Sequence, residues 1–599
     1  MRYPQLNELP VTRDTVEIFG GYNHNLRISS GEFYDMKNLT STYYPVLSPR
    51  PKRGIYKESG APQGIISKDK LCYVDGDSFF VEGEAVRDFT LSTDAKDCPK
   101  NLVSMGAYVI IMPDRKWINT EDVTEHGDID ATYINSDNIK FTLCKLDGSD
   151  YTLQFTQAEE PREGVTNMSL WLDTSTVPNT LKQYSSSSRS WTAVATTYIR
   201  IEAKGIGAQF AQYDGVEISG LKDTELTDAD GNKVTGTIAD EIAELNGSMV
   251  IWERQNDYIV VVGIISKEIT LSSEVKIVRK IPEMDFMIES GNRLWGCRYG
   301  LANNGEFVNE IYASKLGDFK NWQSFLGIST DSYTVGVGSD GAFTGAINHL
   351  GFPLFFKENC LHKIYGELPS NYQVQTTSCR GVQKGSAKSL AIVNEILYYK
   401  ARSAVCSYDG SLPTEISQAL GEERYGEASA GVCGNKYYVS MKDNSGVWHL
   451  FAYDTLKGMW HKEDETHAHS FCSHRGELYF IDAEDNCIKT VLGYGKPEEG
   501  EVSWMAETGI IGTDTPDKKY ISKVLLRMYL ELRSTLDIYI EYDSSGAWEY
   551  VTKVTGTSLK SFNVPIKPQR CDHFRLRLVG NGTAKIFSVT KYTEQGSDF

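Results

Sequence analysis

Nowhere in the 599 residues does an apolar run approach the ~20 residues that a membrane-crossing helix needs, so helical insertion into a bilayer is not expected. Paired cysteines are also missing: the eleven Cys form no C-x-x-C, which removes the dithiol redox motif and the usual zinc-ribbon spacing. Buried free thiols are expected instead, with Cys72, Cys297 and Cys406 in or beside strands. Positive charge is short as well. Lys and Arg total 61 against 80 Asp and Glu, a net charge of −19, which excludes a general nucleic-acid-binding surface but not a local basic loop. An acidic bore that DNA slides through without sticking is compatible with that balance. The chain contains no G-x-S-x-G, no H-E-x-x-H and no P-loop. Residues 1–7 (MRYPQLN) lack the apolar core of a signal peptide, so the product is expected to start in a cytoplasm.

What is present is repetition. EILYYK at 395–400 is followed by NKYYVS at 435–440 and ELYFID at 477–482, and Leu397, Tyr437 and Leu478 stand 40 and 41 residues apart. Each phrase follows a loop containing Gly or Asn, and the first two lead into a second strand and a polar turn. A period of about 40–45 residues with some four short strands per unit indicates a β-propeller blade. One blade cannot bury both faces of its sheet, so blades must stack into a ring.

Further copies precede these. PLFFK at 353–357 lies 43 residues before Leu397, and RLWG at 293–296 is 60 residues earlier still, the excess falling mostly in the Gly-, Ser- and Asp-rich stretch 326–341. KLCYV at 70–74 and AYVII at 107–111 fit the same template 37 residues apart. The expected fold class is therefore all-β. It consists of a propeller of about seven blades (six or eight also fit), one blade divided between the chain ends, an inserted β-rich domain and a C-terminal β-sandwich.

The expected domains are an N-terminal extended arm at 1–57, first blades at 58–118, an insertion at 119–279, remaining blades at 280–499 and the sandwich at 500–599. Within the insertion, alternation predicts strands at 197–202 and 214–219, and an apolar run predicts another at 257–265. Ile238, Ile242 and Leu245 have helical spacing, and 183–190 reads as an exposed loop.

Three prolines, Pro45, Pro49 and Pro51, make the arm extended, and they lie among Arg50, Lys52, Arg53 and Lys57. Those four cations suit either phosphate contact or docking of the arm on an acidic neighbour.

Other motifs have ordinary readings beside functional ones. Gly336, Gly338 and Gly341 match G-x-G-x-x-G, but the following AFTGAI reads as strand where a dinucleotide site needs a helix. His461, His467, His469, Cys472 and His474 are the densest group of candidate metal ligands, without a second ligand pair at defined spacing. Asp228, Asp230 and Asn232 suggest a calcium loop but lack its remaining carboxylates, which favours a hairpin turn. Two D-x-S-G-x-W turns, starting at Asp443 and at Asp543, resemble the Asp-box turns of sialidase propellers, where that turn is structural. No catalytic, cofactor or metal residue is assigned, and the chain is expected not to be an enzyme.

Longer phrases carry a resemblance. NRLWGCRYG at 292–300, NEIYASKLGD at 309–318 with Asn321 and Trp322, DGAFTGAI at 340–347, FFKEN at 355–359, IYG at 364–366 and PVLSPR at 45–50 resemble structural propeller proteins of tailed bacteriophages and prophages. The arrangement is similar to the tail-hub or packaged-DNA stabilisation proteins of short-tailed phages.

The resemblance implies a non-enzymatic virion tail protein, assembled in the bacterial host cytoplasm and present as a symmetric ring of copies. Its implied partners are portal, adaptor or tail-tube proteins and tail fibres or spikes, with DNA only passing through the channel, no cofactor and no membrane insertion. The alternative is a host-surface glycan binder with Trp504, Trp548 or Tyr542 of the terminal sandwich as stacking platforms, or a glycan-cleaving tail enzyme.

Overall fold

The recurring phrases are strands buried on both faces. Ile396–Lys400, Lys436–Asp443 and Glu477–Asp482 are covered along nearly their whole length, as are Phe352–Lys357 and Lys70–Asp75. A strand covered from both sides needs a continuous apolar run rather than alternation, which is why the phrases read FF, YY and YF. Three of them follow two-residue turns with positive φ at both positions: Leu350 and Gly351, Asn394 and Glu395, Arg475 and Gly476. That geometry matches the twist of an antiparallel pair, and the pairing is strong enough to hold Leu350 and Glu395 in a region that side chains disfavour.

The computed structural model describes residues 11–94, 99–222, 225–302, 305–493, 499–513, 518–567 and 569–595. The reading of residues 1–7 lies outside them. The all-β expectation holds: among the described residues one α-helix occurs, Thr237–Ala243, beside a few 3-10 turns. The chain divides into two compact units, one of residues 1–102, 341–363 and 376–599, the other of 103–340 and 364–375.

The first unit contains successive antiparallel four-stranded meanders of the propeller type. One comprises Pro62–Lys68, Lys70–Asp75, Ser78–Val81 and Glu84–Thr90, and another Ala391–Val393, Ile396–Lys400, Val405–Tyr408 and Thr414–Glu415. A third runs Tyr425–Cys433, Lys436–Asp443, Trp448–Asp454 and Met459–Lys462. A fourth, Ala468–His474, Glu477–Asp482 and Cys487–Thr490, takes its outer strand Gly54–Glu58 from near the other end of the chain. First strands pack on first strands: Pro62–Lys68 on Ala468–His474, Ala468–His474 on Tyr425–Cys433, and Tyr425–Cys433 on Ala391–Val393. Aromatic rings fill the wedges between sheets, as in Tyr398 against Tyr437 at 5.5 Å. Cys72 and Cys406 are fully buried in this unit.

The strands expected as a C-terminal sandwich and those of the expected N-terminal extended arm pair with one another. The strands Ser503–Thr508, Lys519–Tyr542, Glu549–Val564, Phe574–Asn581 and Ala584–Gln595 build one sheet with Val11–Val16 and Glu32–Lys37, and Gly21–Tyr22 joins it to Met459–Lys462. The cause is the 24-residue strand Lys519–Tyr542, whose alternation buries Val524, Leu526, Met528, Leu536, Ile538 and Ile540 on one face. The arm strands supply partners that its neighbours leave unpaired.

The second unit holds the sheets Asn101–Met105 to His126–Asp128 and Phe286–Ser290 to Tyr333–Gly336, in which Cys297 is fully buried. Residues 131–279 form three further sheets, two of which share an aliphatic core that includes Ile199, Ile201, Ile242 and Val261. Tyr198–Glu202, Gly215–Ser219 and Tyr258–Val262 are strands, and the helical spacing falls on Thr237–Ala243. The loop expected at 183–190 is the tip of a hairpin between Thr180–Ser185 and Ser190–Ala193.

Candidate binding cleft

Prolines at 45, 49 and 51 keep the pairing around them short: Leu39–Thr40 pairs with Ser48–Pro49 over two residues. Leu39 and Leu47 are buried in the apolar core, and the Leu47 N–H and carbonyl exchange hydrogen bonds with Ile586 at 3.1 and 2.9 Å. The hairpin is tied from the other side by lysines and an aspartate. Lys436 Nζ donates to Thr40 Oγ1 at 2.6 Å, Ser41 Oγ donates to Asp454 Oδ2 at 2.5 Å, and Lys457 Nζ donates to the Ser41 carbonyl at 3.0 Å. Burial holds the Lys436 ammonium below the usual lysine range.

Between this hairpin and the long-stranded sheet lies a cleft of about 390 Å³. One wall carries Thr40, Thr42, Tyr43 and Lys52; the other carries Glu501, Tyr529, Glu531, Thr583 and Lys585. Tyr43 is 52% exposed and Tyr529 37%. The Lys585 ammonium stands 4.1 Å from the centre of the Tyr43 ring, and Lys52 pairs with Glu501 at 2.8 Å. Ser48 also lines the cleft; it is 2% exposed and its Oγ has no partner among the described residues. Two ring faces, carboxylates, amines and hydroxyls around one concavity make a surface suited to a polyhydroxylated ligand, whose C–H faces stack and whose hydroxyls both donate and accept.

Two cations of the arm face protein, not phosphate. Arg50 makes a two-pronged contact with Glu499 at 2.7 and 2.8 Å, and Arg53 reaches Glu463 at 2.7 Å and Asp464 at 2.8 Å. Burial would raise the Asp464 carboxyl, but Arg53 and Arg50 pull it down to about 2. Lys57 lies 6.0 Å from the Phe80 ring centre. Docking on acidic neighbours is the reading that holds for Arg50 and Arg53, for which phosphate contact is corrected; Lys57 is exposed.

Two of the stacking platforms expected in the terminal strands are corrected too. Trp504 and Tyr542 are buried; Trp548 is half-buried with the Arg577 guanidinium 3.9 Å from its ring centre, a contact that does not exclude it. The histidines do not converge: among the described residues no three His, Cys, Asp or Glu are grouped to hold a metal ion. His461 is buried, which pushes it down to about 3; His467 stacks on Trp448 at 3.8 Å; His474 bonds Ser67 at 2.8 Å. Cys472 is half-buried, and burial raises its thiol to about 12.

Asp228 accepts the N–H groups of Asp230 and Asn232 at 3.0 and 2.8 Å, a plain turn. No α-helix starts within 336–341. The two D-x-S-G-x-W turns differ. Asp443 Oδ1 accepts Ser445 and Val447 N–H within its own hairpin, whereas Asp543 Oδ1 accepts those of Asp572 and His573 from the next strand connection.

Sequence reasoning missed Tyr529, Glu531, Thr583 and Lys585. No local signal marks them, because their partners in the cleft lie some 450–550 residues away in the arm.

No protein-family model matches the chain, and no curated protein matches it in sequence. Among solved structures it is similar to an exo-β-1,3-galactanase from Phanerochaete chrysosporium, in complex with galactose, at 7% identity and a TM-score of 0.21, over 51% of this chain and 94% of the other. It is similar to the sialidase of Trypanosoma rangeli, in complex with sialic acid, at 9% identity and a TM-score of 0.19, over 98% and 96% of the two chains. U3-55K is a third, at 11% identity and a TM-score of 0.22, over 46% and 98%. The expectation that the chain is not an enzyme is corrected on this finding: glycoside hydrolases stand among its structural neighbours, and an absence of catalysis is not carried forward.

Proposed function

We propose that this chain is a glycan-binding tail component of a bacteriophage or prophage particle, and that the cleft between Tyr43 and Tyr529 holds the glycan. The observation that carries the binding reading is the cleft itself, where two exposed tyrosines border Lys52, Glu501, Glu531 and Lys585. The virion placement is supported by the resemblance of the phrases at 45–50, 292–318 and 340–366. It is also supported by the four-stranded meanders of the propeller type in the first unit, one of which takes Gly54–Glu58 as its outer strand. Stacked meanders make a stiff platform; in a tail it would be repeated symmetrically and would face portal, adaptor or tube proteins on one side and fibres on the other.

The test is a glycan array probed with the full chain and with Tyr43→Ala and Tyr529→Ala, followed by product analysis on every glycan bound. Binding by the parent and its loss in both variants is expected, and sugar release would add catalysis at the same cleft. Equal signals from parent and variants would remove the cleft from the proposal. Purified particles without this chain by mass spectrometry would remove the virion placement.

A further inference from the structure

A further cavity, of about 200 Å³, lies on the apolar face of the long-stranded sheet and shares no lining residue with the cleft. Its floor is a row across three strands. Val16 is the register partner of Val589, and Val589 is that of Leu526. Leu576 and Leu578, two apart on Phe574–Asn581 and so on one face of it, continue the floor. Phe19 and Phe33 also line the cavity, stacked on each other with ring centres 5.9 Å apart.

Two connecting segments border the opening, and both are pinned. Residues 28–32 are held by Glu32, whose Oε2 accepts the Ser29 N–H at 2.7 Å and Asn23 Nδ2 at 2.9 Å. Residues 508–513 are held where Ile511 and Phe574 exchange backbone hydrogen bonds at 2.8 and 3.1 Å. Glycine lets the segments approach, since a Cβ at Gly509 would stand 2.4 Å from Ile28 Cγ1. Of the lining residues only Ser29, Ser30, Ile510 and Thr513 are exposed. Lys591 lines the cavity too and is paired with Asp14 at 2.7 Å. The interior is therefore aliphatic and the opening mostly polar.

Packed interiors keep few voids larger than a water molecule, and this one is kept open by fixed walls. An aliphatic cavity of ~150 Å³ stays dry and takes up benzene, and by that ratio the present one holds roughly eight carbons. Its two phenyl rings are engaged with each other, and the remaining walls are branched aliphatic groups, which suits a flexible chain better than a flat ring. We propose that the cavity binds one unbranched alkyl chain of about eight carbons, with the polar end of the ligand left among Ser29, Ser30 and Lys591. The site does not depend on the glycan cleft, and either can fail without the other.

Calorimetric titration of the full chain with hexanoate, octanoate and dodecanoate, each below its micelle concentration, tests the site. Octanoate is expected to saturate at one equivalent and to raise the urea midpoint. Affinity rises about fourfold per added methylene, the equivalent of ~0.8 kcal/mol, up to roughly eight carbons and levels off beyond. Val589→Phe fills the cavity and abolishes binding. Val16→Leu takes the space of one methylene, costs octanoate about fourfold, and decides the matter should Val589→Phe fail to fold. Val16→Leu keeps the parent's urea midpoint or raises it, because the added carbon enters free space. Leu456→Phe, at an exposed position outside both sites, leaves binding unchanged. Octyl glucoside in place of octanoate separates the ligand sources: equal affinity supports recognition of the chain alone, and preference for octanoate supports a carboxylate met by Lys591. No saturation with any chain, affinity that climbs as steeply from octanoate to dodecanoate as before it, or octanoate binding untouched by Val589→Phe and Val16→Leu overturns the proposal.

Discussion

Arg53 Nη2 lies 2.7 Å from Glu463 Oε2, and both side chains are almost wholly buried, at 8% and 2% exposure. The pair fastens the residue before the strand Gly54–Glu58 to the segment that connects two meanders. Arg53 is also held by Asp464 and Thr466, each at 2.8 Å. Removing one partner strands a buried charge, which typically costs ~3–5 kcal/mol. Arg53→Met is therefore expected to lower the urea midpoint strongly, whereas Arg53→Met with Glu463→Met costs less than the single change. A double variant less stable than Arg53→Met would show that the pair is not coupled in this way.

Acid should act in two windows. His461 is held at about 3 by burial, so the unfolded chain takes up a proton below its ordinary value of 6.5 while the folded chain does not, and stability falls as pH drops from there. Asp464 is depressed from 3.8 to about 2, so its contribution is intact above 3.8 and lost as pH falls toward 2, on the order of ~2 kcal/mol. Chemical unfolding at pH 7, 5 and 3 is expected to show a decline already between the first two. In His461→Gln that early decline flattens; an unchanged slope would exclude His461 as its source.

The meanders were legible in the sequence because their second strands are covered on both faces and so keep the same apolar phrase at a constant period. The union of the arm with the terminal strands was not. Val11–Val16 and Ala584–Gln595 alternate separately, and nothing local in either says that Thr12 will sit opposite Thr593. The same holds for the cleft. Tyr43 reads as one more arm tyrosine until Leu47 pairs with Ile586 and brings it beside Lys585. Aromatic residues in the terminal strands suggested platforms at Trp504 and Tyr542, yet alternation alone does not say which face of a sheet will be covered.

Gly580 shows how tight that cover is. A Cβ built at this position would stand 2.0 Å from the Trp504 ring, whose Nε1 donates to the Gly582 carbonyl at 3.1 Å. The ring cannot retreat without losing that bond, so Gly580→Ala overpacks the site and is expected to cost ~1–3 kcal/mol or more. Tryptophan emission should shift to the red in the variant as Trp504 meets solvent. Gly338→Ala, at a position of ordinary φ with open space around it, controls for glycine loss in general, and equal effects of the two would refute the packing argument.

Within the cleft the two tyrosines should not be equivalent. Tyr43 is on the hairpin turn and carries Lys585 on one ring face, so replacing it removes a stacking surface and frees an ammonium that then competes for solvent. Tyr529 belongs to the long strand Lys519–Tyr542, whose pairing fixes its position whether or not a ligand is bound. Tyr43→Phe keeps the ring and is expected to bind glycan within a few-fold of the parent, whereas Tyr43→Ala loses about tenfold or more, the ~1.4 kcal/mol of a lost aromatic contact. Tyr529→Phe isolates its hydroxyl and should reduce affinity only where that group bonds the sugar. Calorimetry on the best array hit measures all three. If Tyr43→Phe proves as damaging as Tyr43→Ala, stacking is not what the ring contributes, and the cleft recognises its ligand through hydroxyl and charge alone.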